Sequence, residues 1–77
     1  MKEFIEYIAK HLVDYPDEVE VQEKEQEDNK VILALKVRSE DVGKVIGKQG
    51  KTAQAMRTLL TAVAAKGGHR AILEILD

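Results

Sequence analysis

Residues 39–67 read SEDVGKVIGKQGKTAQAMRTLLTAVAAKG, and their spacing decides how the chain folds. Val42, Val45 and Ile46 stand three and four apart and stop at Gly47-Lys48-Gln49-Gly50. Met56, Leu59, Leu60, Val63 and Ala64 resume the same spacing beyond it. Such spacing predicts a helix on each side of a four-residue turn. Glycine has no Cβ, so a turn bracketed by two glycines lets backbone come close to a ligand. The second helix directs its unpaired N–H groups and positive dipole end toward the turn, and Lys48 adds a charge at the tip, so phosphate is the ligand this arrangement suits.

Working outward toward the N-terminus, Ser39 is placed to cap a short helix over about 40–46, with Glu40 and Asp41 in its first turn. Gly43 inside that helix costs about 0.8–1.0 kcal/mol relative to alanine. It either packs closely against a neighbour or leaves room for a nucleic-acid backbone. In the preceding stretch Val31, Leu33, Leu35 and Val37 alternate with Ile32, Ala34, Lys36 and Arg38, which predicts a strand over 30–38 with the first set in the core. Val19 and Val21 alternate with polar residues in a short strand over 18–22, and the acidic run Glu23–Asn29 reads as an exposed hairpin connection lying away from the binding groove. Phe4, Ile5, Ile8, Ala9 and Leu12 form one stripe of a first helix over 2–13, which Tyr15-Pro16 closes.

In the other direction, Lys66-Gly67-Gly68 ends the long helix, with Gly67 as the left-handed residue beyond its last turn. A last strand covers 70–76, where Ala71, Leu73 and Ile75 face the core. Ile72 and Leu76 are then left partly exposed beside Ile32.

The formal net charge of −2 alone argues against a nucleic-acid ligand. Its distribution reverses that reading. Residues 1–41 hold twelve acids and six bases, whereas residues 42–73 hold six bases and no acid. Lys44, Lys48, Lys51, Arg57, Lys66 and Arg70 therefore make a local positive field around the turn.

Cysteine is absent, which excludes a disulfide framework or thiolate metal site and suits a reducing cytoplasm. No apolar run approaches a membrane span, and the N-terminal segment carries acids where a secretory signal would not. Gly50-Lys51-Thr52 spells the end of a P-loop, but that motif needs glycine where Val45 stands, and a strand before the turn. His11 and His69 are far apart and belong to no nucleophile or ligand constellation. No catalytic site, metal, cofactor, small-molecule substrate or membrane contact is expected.

The stretch VIGKQGKTAQAMR resembles the hallmark of the KH (K-homology) nucleic-acid-binding domain: two apolar residues, a GxxG loop, a basic residue with threonine after it, and Arg57 further along the helix. The order αββααβ is similar to a type II KH domain, and the length resembles the small bacterial single-KH family KhpA. That resemblance implies an α+β fold over residues 1–77, a three-stranded mixed sheet with three helices packed on one face. The strand at 30–38 would be central, antiparallel to the first and parallel to the last. It also implies single-stranded RNA as partner, with about four nucleotides in a groove. Gly43, Lys44, Val45, Ile46, Gly47, Lys48, Gln49, Gly50, Lys51 and Arg57 would form one wall, and Lys66, His69 and Arg70 the other. An RNA chaperone or post-transcriptional role is implied, with a homodimer or a heterodimer with a larger KH-containing protein. The competing reading is a protein-interaction module that uses the loop little.

Overall fold

A computed structural model describes residues 1–76. Three helices, α1 (Lys2–Leu12), α2 (Val42–Ile46) and α3 (Lys51–Lys66), cover one face of a sheet of β1 (Glu20–Glu25), β2 (Lys30–Lys36) and β3 (Arg70–Leu76). The strand order is β1-β2-β3, with β2 antiparallel to β1 and parallel to β3. This is the α+β arrangement and strand pairing that the alternation and the KH resemblance imply.

Side-chain alternation fixes which face is covered. Val31, Leu33 and Leu35 of β2 are buried with Val21 and Leu73 under Ile5, Met56 and Leu60 from the helices. The opposite face of the sheet carries Ile32, Ile72 and Leu76, partly exposed as expected.

Several boundaries differ from the sequence reading. α1 ends at Leu12, and Pro16 opens a separate 3-10 turn over Pro16–Glu18, so β1 starts two residues later than expected. β1 then runs on to Glu25 through residues read as a loop. Glutamate has little strand preference, but Glu23–Glu25 stand in register with Val31–Leu33 of β2, and pairing outweighs propensity. The hairpin shrinks to a tight turn in which Asp28 and Asn29 both take left-handed conformations, φ 61° and 59°. That geometry matches the twist of the flanking strands, and Asp and Asn are among the residues that tolerate it.

At the other end of the chain, Gly68 rather than Gly67 is left-handed, at φ +75°. His69 N–H donates to Ala64 O and Gly68 N–H to Ala65 O, a paired closure that sets the left-handed residue one position later.

Ser39 does not cap α2. Its hydroxyl donates to Glu40 at 2.7 Å, and Ser39–Asp41 form a 3-10 turn leading into a helix that starts at Val42. Asp41, expected only as an acid suited to the dipole, is buried at 1% exposure. Its carboxylate accepts the backbone N–H of Asp14 at 3.2 Å and of Tyr15 at 3.0 Å, tying the segment after α1 to the start of α2.

Candidate nucleic-acid interface

Both bracketing glycines are left-handed, Gly47 at φ +78° and Gly50 at φ +74°. A Cβ on Gly47 would be driven into the Thr52 side chain and to 2.9 Å from its backbone nitrogen, so any other residue must displace the first turn of α3. Thr52 is thus the partner that makes Gly47 obligatory, a role only the folded loop reveals. At Gly50 a Cβ would meet nothing, and conformation alone favours glycine there. Gln49 is also left-handed, at φ 57°, so the tip places three of its four residues in that region.

The turn passes directly into α3, whose first turn has no side-chain cap and no acid. Gly50 N–H donates to Gly47 O and Lys51 N–H to Lys48 O, so an anion meets the positive dipole end and the N–H groups that follow Lys51. Lys48, Gln49 and Lys51 stand exposed around them. A cationic side chain, an amide and an uncapped helix start can hold phosphate oxygens without reading a base.

The remaining predicted site residues separate into groups. Gly43 is exposed and a Cβ there would meet nothing within 4 Å, so close packing does not explain this glycine and open space does. Lys44 leans back to Asp14 at 3.3 Å, which spends part of its charge inside the chain. Val45 is completely buried and anchors α2, while Ile46 stays 38% exposed beside the loop.

Arg57 lies on the flank of α3 that continues to Thr61 and Ala65. Those two residues, with His69, Arg70, Ala71 and Ile72, line a cleft of about 350 Å³ between α3 and the edge strand β3. Lys66 follows Arg57 by nine residues, two and a half turns, and so emerges on the opposite side of the helix. It does not share a wall with Arg70. His69 also borders Glu25 and Gln26. The acidic hairpin therefore stands close to one end of the cleft, where it was expected to lie away from the binding groove.

A wider depression of about 590 Å³ opens between β1, β2 and the turn at Ser39, lined by Asp17, Glu18, Glu20 and Glu40 among others. Arg38, which also lines it, is occupied by Glu40 at 2.7 Å and Glu18 at 2.9 Å and lies over the Tyr15 ring. Hydrogen bonds from Ser39 and Arg38 hold the Glu40 carboxyl below the usual carboxylate range. Its acids would repel phosphate, so size does not make this depression the anion site.

A model of the family described as KhpA/KhpB, KH domain, matches residues 2–75. The chain belongs to the KhpA/KhpB KH-domain family. A Clostridium acetobutylicum relative named RNA-binding protein KhpA is 54% identical over 76 residues, covering 99% of this chain and 100% of the relative. Relatives of the same name from Chlamydia pneumoniae and Aquifex aeolicus are 48% and 49% identical over 77 residues, covering all of this chain and 97% and 96% of their own. No solved structure matches at a significant level. The family match reaches all six helices and strands and includes the GxxG loop.

Proposed function

We propose that this chain is a non-catalytic RNA-binding protein of the KhpA type, acting in the cytoplasm as one KH unit over residues 1–77. Single-stranded RNA is held by its backbone at Gly47–Gly50 and runs on past Arg57 into the cleft beside β3. The observation that carries this reading is the loop itself: left-handed Gly47 and Gly50 opening onto an uncapped α3 with Lys48 and Lys51 exposed. The relatives' shared name supports RNA over other polyanions. Backbone contact without base reading suits an RNA chaperone or post-transcriptional role.

Contact with two or three phosphates gives a salt slope of roughly −1.4 to −2.1, at about −0.7 per phosphate for single strands. Fluorescence anisotropy with labelled RNA across a salt series should return that slope and a weak dependence on sequence. Salt-insensitive binding, or strong preference for one short sequence, would mean that base contacts dominate.

Self-association, with a second copy or a larger KH protein, uses the outer side of α3. Leu59 and Val63 stand one turn apart there, 50% and 40% exposed. A pair of this kind can seat against the same pair across a two-fold axis. Leu59→Glu should then shift sedimentation from dimer to monomer while the melting profile stays close to that of the parent. A parent that sediments as a monomer at high micromolar concentration, and recovers no KH partner from cells, removes this part of the reading.

A further inference from the structure

The covered face of the sheet accounts for the fold and the loop for RNA capture, but the open face carries a charge pattern that neither uses. Strand register places Lys24, Ile32 and Ile72 in one row across the three strands, and Lys30 beside Arg70 in the next. By alternation all five side chains belong to the open face, whereas Glu23 and Glu25 belong to the helix side of β1. By alternation this half of the open face has three cations and two isoleucines, and the nearest acid is Glu25, which borders Lys30 and His69 in a small pocket at the end of the sheet. Glu27 and Asp28 lie in the hairpin tip beyond the last row. None of Lys24, Lys30 or Arg70 makes an ion pair among the described residues. The other half differs: Lys36 sits opposite Glu20, with Glu74 one row away on β3, leaving no net positive charge.

Arg70 occupies a corner. It lines the cleft between α3 and β3, and it is also the first residue of the free edge strand, beside Lys30. We infer that single-stranded RNA leaving the cleft turns around the β3 edge at Arg70 and continues onto the open sheet face, where Lys30 and Lys24 take phosphates and Ile72 and Ile32 contact ribose or base. This inference rests on the RNA-binding reading above and extends it to a second surface of the same chain.

Two features favour RNA over a second copy of the protein on this face. Three strands at about 4.8 Å spacing and four rows about 6.8 Å apart project to an area on the order of 400 Å². A stable dimer buries about 800 Å² per partner. The cations also gather at the end where the cleft opens, as a path for a polyanion requires.

The test compares polyuridine RNA of about six nucleotides, enough for the loop and cleft, with RNA of about sixteen. Lys24→Gln with Lys30→Gln should weaken the longer RNA about fivefold or more and make its salt slope shallower by about 1.4, two phosphates' worth. The shorter RNA should bind within about twofold of the parent. Amide shifts in the unsubstituted chain supply a second readout, with Lys24 and Ile32 moving for the longer RNA only, since Ile72 also lines the cleft. If the substituted chain binds both lengths as the parent does, or if Lys24 and Ile32 stay still, the inference fails while the loop reading stands. If both lengths weaken equally, or if the substitutions change the sedimenting species instead, the face is not an extension of the RNA path. A loop variant that keeps parental binding, while the open-face variant loses it, would uphold the second surface and overturn the loop reading.

Discussion

Replacing Lys48 and Gln49 together by aspartate is expected to lower affinity for single-stranded RNA at least tenfold, about 1.4 kcal/mol, with little change in melting temperature. The exchange removes one positive charge and sets two carboxylates where phosphate oxygens would meet the N–H groups of α3. The fold should tolerate it. Gly47 and Gly50 keep their conformations, and aspartate is among the few residues that accept the left-handed geometry of Gln49, φ 57° and ψ 27°. Exposed substitutions of this kind change stability by about 0.5 kcal/mol, and acids at a helix start are favoured by its dipole. Lys44→Ala should cost less binding, because Lys44 is already drawn to Asp14 at 3.3 Å. Anisotropy at one fixed salt concentration, beside thermal melts by circular dichroism, checks both halves. Parental affinity in the double-aspartate chain would place the RNA elsewhere and end the loop mechanism.

What could be read from the sequence was whatever depends on near neighbours. The alternation in β2 named its buried face correctly because one strand's side chains must take turns, and GKQG named the loop because glycine's conformational range is a property of the residue itself. Gln49 joined the left-handed residues without a sequence sign. Strand pairing carried β1 past the polar residues where its own preferences would have stopped it, and the hairpin therefore tightened around Asp28 and Asn29. Lys66 was placed with His69 and Arg70 on the second wall because it is basic and close to them in the chain, but helical phase turns it away from Thr61 and Ala65, and it does not line the cleft that His69 and Arg70 line. Whether Gly43 served packing or access depended on what stands across from it, and nothing does.

Asp41 is where long-range structure mattered most, and its removal should have the largest effect on stability. Among Glu40, Asp41 and the many other acids of the first half, nothing local marks it as buried. Its partners are backbone N–H groups 26 and 27 residues earlier. Asp41→Ala leaves both donors of these part-buried bonds without their acceptor and empties the place of a side chain that is 1% exposed. A buried unsatisfied group costs about 1–3 kcal/mol, so the expected loss is about 2–4 kcal/mol. A chain of this length has roughly 4–12 kcal/mol in total, so a large share of its stability would go. At about 4–8 °C per kcal/mol for a domain of this size, the melting temperature should fall by about 10 °C or more. Asp41→Asn keeps the shape and one acceptor oxygen but turns an amide toward the other donor, and an intermediate loss is expected. Because Asp41 does not reach the loop, the folded fraction of either variant at low temperature should bind RNA with parental affinity, and denaturant melts run beside anisotropy separate the two effects. If Asp41→Ala melts within about 2 °C of the parent, water has replaced the carboxylate, and the tie between the end of α1 and the start of α2 does not hold this fold together.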